Sequence, residues 1–417
     1  MTTAAFGTQG NESVASGSEI NSTEASSTQV KESGAIGPLR GIKVLELGQL
    51  IAGPFAGKFF ADFGAEVIKV EPPADDKGPG GDPIRYWRVL HDGTSLWWHV
   101  QSRGKKSVTL NLRSPEGQAA AKKLAQEADI VIENFRPGTL EKWGLGYDVL
   151  AKDNPGLLML RISGFGQSGP MREVAGFGAI AESMGGMRYV SGFPDRPPVR
   201  MNLSIGDAIA SLHGVIGVLM ALHHRNQTGE GQVIDVALYE SVFNLMESTL
   251  PEYSYNGTVR ERTGTNLTGI VPSNTYTSKD GVNIAIGGNG DSIFKRLMQT
   301  MGRDDWANDP ALGNNAGRAM RAQEIDEGIG AWCAAHDASF LLDALSQAQV
   351  PSSKIFSIKD IVEDPQYLAR GMIESITLDD GTRLNVPGVV PKLSKTPGRV
   401  PGRGPTLGEH NKEILKT

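Results

Sequence analysis

The feature that most limits the fold is a pair of short apolar runs, Ile42-Lys43-Val44-Leu45-Glu46-Leu47 and Glu66-Val67-Ile68-Lys69-Val70. Between them lies a stretch of small residues, Ala52-Gly53-Pro54-Phe55-Ala56-Gly57, that reads as a helix running to Phe63 and stopped by Gly64. Strand, short helix and strand within roughly 30 residues form a βαβ crossover, which joins parallel strands. The alternation repeats downstream. Ser107–Leu112 reads as a strand, Pro115–Ala128 as a helix capped by Ser114, Asp129–Glu133 and Leu157–Ile162 as strands. A long helical run, Asp207–Arg225, places Ile209, Leu212, Ile216, Leu219 and Met220 at helical spacing and is followed by a strand, Val233–Ala237. Alternating β and α elements predict an α/β fold, a doubly wound parallel sheet. Ligands of such sheets lie outside the carboxyl ends of the strands. The loops to search are therefore Gly48–Gly53, Glu71–Gly81, Asn134–Gly138 and Gly164–Gly169.

Past Ala237 the pattern changes. Tyr239–Thr249 reads as a helix, and Val282–Ile286 as a strand that ends in Gly287-Gly288-Asn289-Gly290. A helix over Ser292–Met301 and Ala-rich helices to 345 follow, and the chain then returns to strands and turns. The expected organisation is a disordered tail over 1–36, a large domain from 37–245, a smaller inserted α+β domain over 246–345, and a C-terminal part, 346–417, that rejoins the large domain. The tail is rich in Ser, Thr, Glu and Gly and lacks the basic and apolar segments of a secretory signal. A net charge of −6 gives no footprint for nucleic acid. No uninterrupted run of about 18 apolar residues occurs, so no membrane span is expected. Cys333 is the sole cysteine, which excludes an intrachain disulfide and fits a reducing, cytoplasmic setting. It reads as a buried small hydrophobe, with a catalytic thiol as the alternative.

Several segments, taken in order, resemble the family III CoA-transferases of the CaiB/BaiF type. They are Gly41–Glu46, Ala52-Gly53-Pro54, Gly64–Pro72, Lys105-Lys106-Ser107 and Glu133-Asn134-Phe135-Arg136-Pro137-Gly138. Further along come Gly164–Pro170, Thr228–Gln232, Gly287–Gly290, and Asp364-Pro365 with Ala369–Met372. The resemblance implies that coenzyme A moves between carboxylic acids through a covalent intermediate on Asp207. A carboxylate suits this role because its anhydride is reopened by either partner. Read locally, Asp207 is an aspartate at a helix N-terminus, where free N–H groups favour the anion. The resemblance also implies that Gly287 and Gly288 present backbone amides to the intermediates, although alone they read as a turn.

For the CoA thioester, a substrate and not a permanently bound cofactor, the matching positions are Leu50, Ile51, Ala52, Pro72, Lys105, Asn134, Phe135 and Lys142. Lys105 and Lys142 are the candidate phosphate partners, or else solvated surface charges. The neighbourhood of Arg196–Arg200 and of Glu240–Tyr253 resembles the branch that uses succinyl-CoA with dicarboxylic acceptors such as glutarate, malate, citramalate or itaconate. Arg200, Arg260 and Arg262 are then candidates for a distal carboxylate. No metal site is expected. Formyl-CoA transferase has glutamine where this chain has Ile51, which argues against formyl-CoA and oxalate. The racemases of the family carry Gly-His-Asp where this chain has Gly176-Phe177-Gly178, which argues against racemisation. His223 and His224 sit roughly 24 Å from Asp207 along its helix, at about 1.5 Å per residue, and are no part of the site. The resemblance further implies an interlocked homodimer. The rival readings are a non-catalytic CoA-binding protein, and a dehydrogenase, which lacks its G-x-G-x-x-G after the first strand.

Overall fold

The computed structural model describes residues 37–76 and 78–416, so the tail expected over 1–36 lies outside the described residues. Six strands build one parallel sheet: β1 (Lys43–Glu46), β2 (Glu66–Glu71), β3 (Lys105–Thr109), β4 (Ile130–Glu133), β5 (Leu158–Ser163) and β6 (Gln232–Ala237). Their order is β3-β2-β1-β4-β5-β6. The winding reverses between β1 and β4, paired in register Val44 with Ile130 and Glu46 with Ile132, so the switch point opens there. Both faces are covered, which explains why Ile130-Val131-Ile132 is apolar without alternation and fully buried. Ala56, Phe60, Ala210 and Val218 pack on one face. Ala121, Ala125, Leu140 and Leu145 pack on the other.

Helices α1 (Ala52–Asp62), α2 (Gly178–Met184) and α3 (Ile205–Thr228) contribute to the first of these layers, joined by Leu238 of a following short helix. By length and composition α3 is apolar enough to cross a membrane, which a search for uninterrupted apolar residues misses. Here its small face lies on the sheet: a side chain at Gly214 would meet Leu160 at 2.9 Å and one at Gly217 would meet Ile234 at 2.8 Å. The Ser211 hydroxyl ties α3 to the start of α1 by donating to the Ala52 carbonyl at 2.6 Å. The helix expected over Tyr239–Thr249 is two helices, Leu238–Phe243 and Thr249–Asn256, broken where Glu247 takes a φ of +48°.

A second module has its own antiparallel sheet of β7 (Ser273–Thr277), β8 (Asn283–Gly287) and β9 (Ser352–Lys354), and its own core around Ile284, Leu297, Ile325 and Leu341. Its third strand lies beyond the expected boundary at 345. The C-terminal segment bonds back to the large sheet. Pro405 accepts from Arg85 Nη2 and Trp98 Nε1, and Asn411 accepts from the Thr109 amide at 2.8 Å.

Candidate active site

At the carboxyl ends of β1, β4 and β5 lies a cavity of about 730 Å³. Gln49–Ala52 enter it from the loop after β1, Asn134–Pro137 from the loop after β4, and Ser163 and Gly164 from the end of β5. Gly176–Ala179, Arg200, Ser204 and Asp207 form a second wall, and Trp87, Arg88 and Trp97 a third. Apolar and aromatic walls with a few placed charges are the usual make-up of a small-molecule site.

Asp207 is half-buried and stands in the first turn of α3, which begins two residues earlier at Ile205 after the N-cap Ser204. Gly178 makes room for it: a methyl group there would overlap Asp207 Oδ2 and stand 2.7 Å from Cγ. The backbones of Gly164 and Gly176 also meet closely, a Cβ on the former reaching Gly176 Cα at 2.8 Å. Burial pushes the Asp207 carboxyl up to about 6, with the neighbouring Glu182 adding to the rise and Arg200 opposing it. A helix N-terminus stabilises an anion by only about 0.3–1 kcal/mol, so desolvation and a second carboxylate prevail over it. Glu182 is itself buried. It faces Arg188 Nη2 at 3.1 Å and Arg200 Nε at 3.5 Å, and accepts from the Gly206 amide at 3.4 Å.

The loop after β1 is held from beneath. Leu50 has a φ of +65°, a costly conformation for a residue with a side chain. Its amide donates to both Asp82 carboxylate oxygens, at 3.0 and 3.1 Å. Next to it, Asn134 accepts from the Gln49 amide at 2.8 Å and donates to the Gln49 carbonyl at 2.9 Å. Lys69, wholly buried, joins Asp82 at 2.8 Å and Glu46 at 3.0 Å, and donates to the Gly48 carbonyl at 2.9 Å. Burial opposes its charge, but Asp82 and Glu46 overcome that and hold the Lys69 ammonium above its ordinary range. Lys105 completes the group, 2.8 Å from Glu46 and donating to the Pro54 carbonyl at 2.7 Å. Its pKa is lowered to about 8, first by burial and also by Lys69. Gly57 is what admits the Glu46 carboxylate, since a Cβ there would overlap Oε2. The charged residues inside β1, β2 and β3 thus form a fixed base under the cavity.

Of the residues singled out from the sequence, the fold brings together Asp207, Leu50, Ile51, Ala52, Asn134, Phe135 and Arg200 around this cavity. Others lie elsewhere. Lys105 cannot reach a phosphate: its side chain is fully enclosed, its ammonium held by Glu46 and by the Pro54 carbonyl of α1. Pro72 and Lys142 are not on the cavity wall. The Gly287 and Gly288 amides are spent on backbone bonds to Pro351 and Pro272, both 2.9 Å, so neither is free for an oxyanion in this chain. Arg260 is ion-paired with Glu247 and Glu252, and Arg262 donates to the Tyr189 carbonyl, both away from the cavity. Sequence reading missed Gly178, Glu182, Arg88 and Trp97. Only Gly178 carried a local signal, as part of Gly176-Phe177-Gly178.

A cavity at the switch point of a doubly wound sheet, with a half-buried carboxylate in the first turn of a helix and arginines at its edge, defines an α/β enzyme suited to an anionic, partly apolar substrate. Residues 39–411 match the model of CoA-transferase family III. The chain is 49% identical to succinyl-CoA–D-citramalate CoA-transferase of Chloroflexus aurantiacus, over 91% of this chain and 93% of that one. It is 42% identical to the succinyl-CoA–L-malate CoA-transferase beta subunit of the same organism, over 91% and 93%. A crystal structure of a CAIB/BAIF family protein from Brucella suis superposes with a TM-score of 0.78 at 33% identity, covering 91% of this chain and 99% of that one. The chain belongs to CoA-transferase family III, and it is a CoA-transferase.

Proposed function

We propose that the protein moves CoA from succinyl-CoA to a dicarboxylic acid of the citramalate or malate type, with Asp207 as the covalent carrier. The observation that carries this reading is the position of Asp207 on the cavity wall at the switch point, backed by Gly178. An Asp207 oxygen attacks the thioester carbonyl, the C–S bond breaks, and CoA leaves as thiolate beside a mixed anhydride. The thiolate then attacks Cγ of Asp207, the C–O bond breaks, and the donor acid departs as its carboxylate. An acceptor carboxylate attacks the aspartyl-CoA thioester and again expels the thiolate. That thiolate takes the acceptor's acyl carbon and frees the Asp207 carboxylate. A carrier pKa of about 6 leaves most of the group ionised at neutral pH.

The thioester limb of the substrate is placed along Leu50, Ile51 and Ala52, and the pantetheine along Asn134 and Phe135, all on the cavity wall. A homodimer is part of the same proposal. Leu212, Ile216, Leu219 and Met220 of α3 are 41–68% exposed and recur at helical spacing, an apolar stripe that a second copy would cover. The enzyme is tested with succinyl-CoA and a panel of glutarate, malate, citramalate, itaconate, mesaconate and acetate, with products read by mass spectrometry. Transfer to a dicarboxylate, lost in Asp207→Ala, is the expected result. Undiminished transfer by Asp207→Ala would overturn the carrier assignment, and absence of transfer to every acid would overturn the donor.

A further inference from the structure

We infer that Arg88, stacked on Trp97, binds the non-reacting carboxylate of both the donor and the acceptor acid, and so selects dicarboxylates. This rests on the acid-transfer reading and adds the residue that sets its specificity.

Arg88 borders the main cavity together with Asp207, and it also borders a smaller adjoining space of about 330 Å³. Ser204, the N-cap of the helix that carries Asp207, lines both spaces with Arg88 and Trp97. Arg88 and Trp97 therefore border the volume at the head of that helix. Its carbon stands 4.7 Å from the centroid of the Trp97 ring, an arrangement that orients the planar fork and limits its hydration.

Two of the other cavity arginines have acidic neighbours. Arg172 pairs with Glu173 at 3.2 Å and Arg200 faces the buried Glu182 at 3.5 Å. Arg136, like Arg88 without an acidic partner among the described residues, leaves the β4 loop beside Asn134 and Phe135, where the proposed function lays the pantetheine, and it does not border the smaller space. Among the described residues Arg88 has no acidic partner, and it is held in a strained backbone, φ +61°. The turn is fixed on its far side, where the Ser95 hydroxyl donates to the Trp87 carbonyl at 2.6 Å and the Leu96 amide to the Val89 carbonyl at 3.0 Å. Strain in a residue that a neighbouring hairpin over-determines is a mark of a functional constraint.

The chemistry asks for one such cation. In transfer through a single carrier, the two acids occupy the same place in turn. Each presents one carboxylate to Asp207 and leaves the other unreacted. A fixed guanidinium answers that second carboxylate bidentately in both half-reactions, whereas a monocarboxylate leaves it unpaired.

The test uses matched exchange reactions on the full-length enzyme: labelled succinate into succinyl-CoA, and labelled butyrate into butyryl-CoA. The variants are Arg88→Gly, which removes the fork and relieves the positive φ, and Arg88→Lys, which keeps the charge alone. The ratio of kcat/KM for succinate over butyrate exchange is expected to fall about 30-fold in Arg88→Gly and about fivefold in Arg88→Lys. Thermal unfolding midpoints at or above wild type in Arg88→Gly accompany that result. An unchanged ratio, or equal losses for both acids, would overturn the assignment of Arg88 while leaving acid transfer in place. Failure of the wild-type enzyme to exchange either acid would overturn the acid-transfer reading itself, and this inference with it.

Discussion

The contact between Gly178 and Asp207 offers a sharp test of the site. Gly178 opens α2, so Gly178→Ala should by itself favour that helix by up to about 1 kcal/mol. The added methyl, however, would stand 2.7 Å from Asp207 Cγ and overlap Oδ2, whereas ordinary contact begins at 3.4 Å. Against Cγ alone the shortfall is 3.4 − 2.7 = 0.7 Å, and against the oxygen it is larger. The helix offers little retreat, because a Cβ at Gly206 would already meet the Gly178 carbonyl at 2.9 Å and Ser211 anchors α3 to α1. The carboxylate must therefore swing by on the order of 1 Å, and a displacement of that size at a reacting atom costs about 100-fold in rate. Overpacking adds a stability loss of about 1–3 kcal/mol.

The assay is the initial rate of CoA transfer from succinyl-CoA to a dicarboxylate, with thermal unfolding measured alongside. Gly229→Ala serves as the control. It also strains the chain, at φ +80°, but its methyl would meet nothing within 4 Å. The control should lose stability and keep kcat. A folded Gly178→Ala enzyme with kcat within about threefold of wild type would refute the reasoning, because a reacting carboxylate could not tolerate that shift.

The same geometry sets other outcomes. Transfer should fall below about pH 6 as Asp207 takes up a proton, and Glu182→Gln, which removes the adjacent carboxylate charge, should move that midpoint down; a pH–rate profile reads both. Because the folded-state pKa is raised, the native protein holds a proton that the unfolded chain has released, so this group costs stability as pH rises from the ordinary carboxyl range through about 6. Asp207→Asn should accordingly stabilise the fold above pH 6 by on the order of 1–2 kcal/mol, discounted for partial solvent access, while abolishing transfer; denaturant melts at two pH values check the sign. Asp82→Ala strips Lys69 of a buried partner and frees the Leu50 amide, and should cost about 3–5 kcal/mol in denaturant unfolding.

Much of the sheet was readable in the chain. Covered parallel strands favour unbroken apolar runs, and Ile130–Ile132 is one, buried throughout. The breaks came where a residue's surroundings outweighed its type. Lys105 looks like a surface cation in sequence, yet in register with Val67 it lies beneath the sheet against Glu46. Gly287 and Gly288 read alone as a turn and by resemblance as an oxyanion loop, yet the partners of their amides, Pro351 and Pro272, are fixed only when β8 pairs within the second module. Arg200, Arg260 and Arg262 are alike as letters, and only folding sets Arg200 on the cavity wall and locks Arg260 against Glu247 and Glu252.

By itself the sequence determined the alternation of strands and helices and the loops at the carboxyl ends, because these depend on periodicity and on spacing along one chain, whereas Asp207 stood out only through the resemblance of ordered segments to a family and locally reads as a helix cap. The tertiary structure alone decided which charges are buried as a base, which arginines border the cavity, and that Gly178 presses on Asp207. Those depend on distances between segments far apart in sequence, which no local pattern records.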